Sequence, residues 1–544
     1  MIGAREIASA LGQLPPTDEQ VAVIEAPLEP TLVVAGAGSG KTETMAARVV
    51  WLVVNGVVRP EEVLGLTFTR KAAIELGERL GRRLRAATER GLWSPEDDEV
   101  PLPEVSTYHA YAGRLVSEHG LRWGIEPDSR LLSEASAWQL AHEVVHTTDA
   151  DLSGFDGAPS TLVDAVLSLS GELAEHLVET GPAVQLLERL ADRVAALPGR
   201  DHKRATAEGR HTAAALRDQA RVYPLVDRYQ EVKRARGVLD FADQMAIAAR
   251  LAAGLPAVGT QQRQLHRAVL LDEFQDTSEA QMVLLSSLFS GHDLPLTAVG
   301  DPSQSIYGWR GASATTLSSF PDVFPAGGRP ATVLPLSTSW RNAERILAVA
   351  NDVSASLRRQ SRVDVAELRA RPGADTGTVR AARLLTHRDE AGHVADWVRD
   401  HWLDPDGRPT GRTAAVLCRN RAQFDEVVQA LRARGLPVEI VGLGGLLSAP
   451  EVADLVALLT VAQDPTRGDA LMRLLTGPVC RLGPADIDGL WAWAGALADL
   501  DGQDRGDVAL ADALDRLPPT TWRGSRGRRV SETARSRVQD LGQA

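Results

Sequence analysis

Leu32 to Val34 is a short apolar run that leads directly into Ala35-Gly36-Ala37-Gly38-Ser39-Gly40-Lys41-Thr42, and Glu43 to Val54 then reads as a helix. Strand, glycine-rich turn and helix in that order restrict the fold to an α/β sheet with the turn at a strand's C-terminal end. Successive N–H groups of such a turn can face one anion, and the helix N-terminus adds its dipole. Residues 35–42 are therefore expected to cradle the phosphates of a nucleotide such as ATP. Lys41 would reach the β- and γ-phosphates and the Thr42 hydroxyl would ligate Mg2+.

A second apolar run, Ala268 to Leu271, ends in Asp272-Glu273. A continuous apolar run suits a strand buried on both faces, and carboxylates at its C-terminal end face the crevice where ligands bind. Asp272 suits the Mg2+ shell, and Glu273 can orient and polarise an attacking water.

With 544 residues the chain is long enough for about three or four domains. Its longest apolar runs fall short of the roughly 20 residues that cross a bilayer, and Met1 to Leu14 lacks a signal peptide's apolar stretch, so no membrane association and a cytoplasmic location are expected. Two cysteines, Cys418 and Cys480, exclude a disulfide framework and a Cys-rich metal site. The net charge of -13 offers no overall attraction to polyanions. It is compatible with a local groove that stacks bases. Arginine clusters at Arg79 to Arg85 and Arg523 to Arg529 fit either such a groove or a solvated face.

Other segments narrow the class. Thr67-Phe68-Thr69-Arg70-Lys71-Ala72-Ala73, Ser106-Thr107-Tyr108-His109-Ala110, Leu239-Asp240-Phe241-Ala242-Asp243 and Asp272-Glu273-Phe274-Gln275-Asp276-Thr277 occur in that order. Val299 to Ala312 follows, with Gln304 five residues before Trp309. That spacing lets a γ-phosphate-sensing amide and a base-stacking aromatic share one segment. Together these stretches resemble the motifs of UvrD/Rep-type superfamily-1 DNA helicases, which also begin the phosphate loop with Ala, as Ala35 does here. The resemblance implies catalytic roles for Glu273, Gln304 and Arg341, the last an arginine finger in Leu336 to Asn342. It further implies adenine contacts from Gln20 and Trp340, with Trp340 where Tyr is usual. Thr17 and Gln20 also fit a helix capping box, and both readings hold together. DNA contacts are implied for Thr67, Phe68, Thr107, His109, Tyr307 and Trp309. Arg419 fits a nucleotide or DNA contact and a surface ion pair equally.

The expected architecture is α/β, with RecA-like parallel sheets and helical insertions. Residues 1–110 and 237–333 would form ATP-binding domain 1A, 111–236 insertion 1B, 334–483 an incomplete domain 2A, and 484–544 the start of insertion 2B. The family's motifs V and VI are not found in the chain, so very slow ATP hydrolysis by these residues alone is expected. Lys41 to Val53 is similar to the motor part of an actinobacterial AdnB-like helicase–nuclease subunit. The implied function is an ATP- and Mg2+-dependent 3'→5' helicase or translocase of DNA repair or recombination. It would act on single-stranded and duplex-junction DNA, with a second helicase–nuclease subunit as a possible partner. The alternative is a catalytically incomplete DNA-binding or assembly partner of a larger complex.

Overall fold

The computed structural model describes all residues except 96–99, 127–128, 149–158, 198–205, 293, 307, 309–315, 442–449, 503–509 and 543–544. The chain forms two compact units, Met1–Val379 and Arg380–Ala544.

The first unit is built on a six-stranded, wholly parallel sheet. Its strands are β1 (Thr31–Ala35), β2 (Val63–Thr67), β3 (Glu104–Thr107), β6 (Ala268–Leu271), β7 (Leu296–Gly300) and β8 (Thr332–Leu336), in the spatial order β3-β2-β6-β7-β1-β8. Two short pairs flank it: β4 (Arg130–Leu131) with β5 (Val238–Leu239), and β9 (Thr338–Ser339) with β10 (Arg369–Ala370). β1 lies between β7 and the edge strand β8, with Val33 in register with Val299 and Leu334. Every residue of β1, β2, β6 and β7 is buried, as expected of strands covered on both faces.

Alternation along each strand divides the core. Leu32, Val34, Leu66 and Leu271 face one layer, packed by α5 (Tyr108–His119), α11 (Phe241–Gly254) and α13 (Glu279–Phe289). Val33, Ala35, Val63 and Leu270 face the other, packed by α1 (Ala4–Ala10), α2 (Asp18–Ile24), α3 (Lys41–Val54) and α4 (Arg70–Glu89). α5 therefore belongs to the sheet's core through Tyr111, Ala112 and Leu115.

Within the second layer Arg48 is wholly buried. Its guanidinium donates to Thr297 Oγ1 and to the carbonyls of Val23, Ile24, Ala26 and Pro27 at 3.0–3.1 Å. Burial depresses its pKa to about 10, and the five acceptors offset that desolvation. The residue thereby fastens the turn after α2 to the central strands.

Helices α6 (Glu134–Thr147), α7 (Pro159–Glu175), α8 (Thr180–Ala196), α9 (Ala207–Ala220) and α10 (Tyr223–Ala235) interrupt the sheet in sequence. Leu140, Val144, Val163, Val166, Leu225 and Val226 give α6, α7 and α10 a core of their own. Buried Lys233 of α10 donates to Asp240 and Asp243, each at 2.6 Å, and lies 4.6 Å from the Tyr229 ring centre. Asp240 and Asp243 also form the reciprocal capping box that starts α11. One ammonium thus ties the end of the helical insertion to the first helix of the returning chain. The unit is completed by α12 (Pro256–Leu265), α14 (Thr316–Val323) and α15 (Glu344–Gln360).

In the second unit, helices His387–Trp402 and Phe424–Arg432 enclose Ala395, Val398 and Leu431, with Arg434 paired to both oxygens of Asp396 at 2.7 and 2.9 Å. Helices Pro450–Gln463, Gly468–Thr476, Pro484–Asp501 and Glu532–Gly542 follow, with Leu475, Cys480, Trp493 and Leu497 in a second cluster. The sequence predicts a sheet here. Among the described residues of this unit no strand is formed. Leu385 and Leu417 are 99% and 95% exposed and lie outside any helix or strand, and an apolar strand needs ladder partners and a covering layer to hold its place. Among the described residues no helix is long and apolar enough to cross a membrane.

Candidate nucleotide and DNA site

Because the sheet is parallel, its strands deliver their following loops to one edge, the usual place for ligands in such sheets. β1 ends in the glycine-rich turn. Gly38 and Gly40 take left-handed φ of 75° and 82°, which a side chain at either position would strain. Gly40 caps α3, so Lys41 and Thr42 open that helix. The Ser39 hydroxyl is buried without a hydrogen-bond partner.

β6 is followed at once by Asp272, whose N–H donates to the Leu66 carbonyl of neighbouring β2. Glu273 adopts a left-handed φ of 50° and ψ of 42°, a strained backbone for a residue with Cβ. Its Oε2 lies 2.9 Å from Lys41 Nζ and accepts the Gln275 amide at 2.7 Å. Gln275 Oε1 accepts the Asp301 N–H at 3.0 Å beyond β7, and Asp301 Oδ2 accepts the Gln304 amide at 2.6 Å. A continuous polar chain therefore runs Lys41, Glu273, Gln275, Asp301, Gln304. Two of its three interior members, Gln275 and Asp301, carry no expected role in the sequence; their signal is position, in the loops that follow two adjacent strands.

Burial, and then the charge of Glu273, push the Asp272 carboxyl up to about 6 against the opposing pull of Lys41. Asp276 is likewise raised to about 6, chiefly by burial. A hydroxyl on Thr42 and carboxylate oxygens on Asp272 are hard donors suited to Mg2+.

Other elements close on the turn. Past β8, the Trp340 N–H donates to the Gly38 carbonyl at 2.8 Å. A methyl group on Gly38 would come within 2.7 Å of Ser339 Oγ and 2.8 Å of Arg341 Cβ. The Arg341 backbone and Cβ are thus held against the glycine-rich turn at Gly38. Gln20 Nε2 reaches the Ser39 carbonyl at 3.5 Å, and the Thr17–Gln20 capping box is formed in both directions.

β2 and β3 bring the remaining residues to the same edge, with Thr67 in register with Thr107. Thr67 is buried and its hydroxyl donates to the Thr69 carbonyl, while Phe68 is half-buried just beyond it. Thr107 caps α5 by accepting the Ala110 N–H. His109 meets the exposed Phe241 edge to face at 6.2 Å between ring centres, a neighbour to which the sequence assigns no role. Tyr108 OH donates to the Asp272 carbonyl at 3.2 Å, joining this side of the edge to the acidic strand end. Tyr307 and Trp309 lie outside the described residues.

A family model described as UvrD/REP helicase N-terminal domain matches residues 16–325, and one described as UvrD-like helicase C-terminal domain matches 334–499. The chain is 28% identical to ATP-dependent DNA helicase UvrD1 of Mycobacterium leprae over 525 residues, covering 94% of the chain and 60% of that protein. It is 26% identical to ATP-dependent DNA helicase PcrA of Leuconostoc citreum, covering 91% and 59%. With DNA helicase II of Escherichia coli the identity is 25%, covering 87% and 57%. The chain spans about 60% of the length of the curated relatives it matches. With a glycine-rich turn between β1 and α3, a paired acidic strand end and a family match over more than half its length, this chain belongs to the UvrD/Rep family of DNA helicases.

Proposed function

We propose that the chain carries the ATP-binding and hydrolysing machinery of a 3'→5' DNA translocase and helicase acting in repair or recombination. The polar chain from Lys41 to Gln304 is the observation that carries this reading: it connects the phosphate loop to the segment leading to Tyr307 and Trp309. As arranged, Lys41 neutralises Glu273. When Lys41 turns to the β- and γ-phosphates of ATP, Glu273 is released to orient the attacking water. Gln275 holds Glu273 at its other side, and Gln304 senses the γ-phosphate. Mg2+, held by Thr42 and Asp272, would neutralise phosphate charge. Arg341 adds a second cation over the turn, while Gln20 and Trp340 take the adenine. The turn itself, Ala35 to Thr42, cradles the phosphates.

On the DNA side Thr67, Phe68, Thr107 and His109 share the strand-end edge, and Tyr307 and Trp309 extend it. Residues 1–110 and 237–333 are assigned to domain 1A, 334–483 to 2A and 484–544 to 2B, and the expected insertion 111–236 is assigned to 1B without α5, whose Tyr111, Ala112 and Leu115 pack in the core of the 1A sheet. A cytoplasmic site of action fits this work. A second reading, a catalytically incomplete DNA-binding partner, draws on the lack of any strand among the described residues of Arg380–Ala544. The helicase–nuclease association is not part of the proposal.

The test is unwinding of duplexes carrying a 3' or a 5' single-stranded tail by the full-length protein with ATP. Opening of the 3'-tailed substrate is expected. A preference for the 5' tail overturns the direction, and ATP-independent opening overturns the motor itself.

A further inference from the structure

A cavity of about 220 Å3 borders the short 3-10 helix Pro302–Gln304, at Pro302 and Ser303. Its apolar lining is Leu317 of α14, Leu357 of α15, and Val363 and Val365 beyond that helix. Three of its sides also reach the nucleotide edge. Asp301 accepts the Ser303 N–H at 2.9 Å as well as the Gln304 amide, so it grips the residues that border the cavity. Leu317 abuts the end of β7: a Cβ on Gly300 would lie 2.7 Å from its Cδ1 and 2.8 Å from Gln275 Oε1. On the third side, Asn351 of α15 pins the segment that carries Val363 and Val365. It donates to the Leu368 carbonyl at 2.9 Å and accepts the Leu368 N–H at 3.0 Å. Leu368 in turn packs so closely over Gly36 that a Cβ there would collide with its Cδ2. A body filling the cavity would therefore bear on the glycine-rich turn through Leu368, and on the Gln275, Asp301 and Gln304 links through Leu317 and Ser303.

The charged residues of this lining are Arg358 and Arg362, both cations. Arg358 is braced, with Nη1 donating to the Asn351 carbonyl at 3.0 Å and Ser354 Oγ at 2.7 Å, and Nη2 to Glu367 at 3.0 Å. A guanidinium has five N–H donors, which leaves Arg358 its Nε proton and one on Nη2. Arg362 is exposed, and among the described residues no carboxylate pairs with it. Cations beside apolar side chains select an anion with a hydrophobic body: the carboxylate takes the free N–H donors while the body displaces water from leucine and valine. The volume falls below the roughly 300 Å3 at which pockets for drug-sized ligands begin, so the body is limited to about the size of a bicyclic arene.

We propose that this cavity is a regulatory site for a small amphipathic anion, a carboxylate on an apolar body. Bound at Arg358 and Arg362, the anion holds Leu368 on Gly36 and Ser303 on Asp301, and thereby slows DNA-stimulated ATP hydrolysis. The regulatory half of the inference rests on the proposed motor function. A mere packing gap would hold water and show no preference for charge.

The experiment titrates the full-length protein and Arg362→Gln with 2-naphthoate by calorimetry, with neutral 2-naphthamide as the uncharged probe. DNA-stimulated ATP turnover is measured at each naphthoate concentration. At the per-atom efficiency of small ligands, naphthoate should bind with a Kd of about 1 mM. Removing the charge from the probe, or from residue 362, should weaken binding by about tenfold, the scale of one hydrogen bond to a charged group. Saturating naphthoate should lower turnover by about fivefold, a modest coupling between two sites. Arg362→Gln should turn over ATP normally without naphthoate and need about tenfold more of it for half inhibition. Binding that does not saturate by about 10 mM overturns the site. Equal affinity for naphthamide, or for Arg362→Gln, overturns the recognition of an anion, and naphthoate binding with unchanged turnover overturns the regulation. Arg362-dependent binding by a protein that shows no DNA-stimulated hydrolysis would instead refute the proposed motor, and the regulatory half of this inference with it.

Discussion

Replacing Asp272 by Asn should stabilise the protein at neutral pH while abolishing ATP hydrolysis. Asp272 is 5% exposed, beside Glu273, and its carboxyl titrates near 6 because burial and that neighbouring charge oppose ionisation. An ordinary aspartate titrates near 3.9, and at about 1.4 kcal/mol for each pH unit a rise from there to about 6 amounts to about 3 kcal/mol. The folded pKa lies above the unfolded one, so the fold favours the protonated carboxyl. That favourable contribution is complete below about pH 4 and is lost as pH rises through 6. At pH 8 the buried carboxylate therefore costs stability, which Asn avoids while Oδ1 still accepts the Glu273 N–H. Urea denaturation in EDTA should show Asp272→Asn more stable by about 2–3 kcal/mol at pH 8, with the gap closing toward pH 4. A variant equal to or weaker than the unaltered chain at pH 8, or a gain independent of pH, would show that burial of this carboxylate is not what sets its titration.

Lys233→Met leaves Asp240 and Asp243 facing each other in a buried site without their cation, and should cost about 3–5 kcal/mol in denaturant unfolding. Gln275→Ala breaks both interior links between Glu273 and Asp301. In steady-state assays of the full-length protein it should lower DNA-stimulated turnover by about a hundredfold, with ATP affinity changed less than threefold. Phe68→Ala should weaken single-stranded DNA binding, read by fluorescence anisotropy, by about 1–3 kcal/mol, the worth of one base stack.

The nucleotide edge is the most legible part of the sequence. Buried parallel strands are written as uninterrupted apolar runs, and the residues that matter follow them immediately, as Lys41 follows β1 and Asp272 follows β6. The ties between these loops are not legible. Gln275 and Asp301 meet only because β6 and β7 are neighbours in the sheet. Arg48 looks like one more arginine on a helix until the carbonyls of Val23 to Pro27, more than twenty residues earlier, fold back onto it. Lys233 sits ten residues from Asp243, and the capping box that unites them depends on where the helical insertion rejoins the core. Of the sheet expected within residues 334–483, no strand forms after residue 379 among the described residues. Extended segments become strands only by pairing, and the described residues around Leu417 have no such partner.

Lys41 joins the phosphate loop to the acidic strand end at 2.9 Å, so ATP binding by the chain and by Lys41→Ala bears on the proposed motor more closely than any other comparison. Removing this cation should weaken ATP binding by more than about tenfold, the loss of a charge-assisted contact to phosphate, while single-stranded DNA binding is retained. Equal ATP affinity in the two proteins would contradict the assignment of residues 35–42 as the phosphate site.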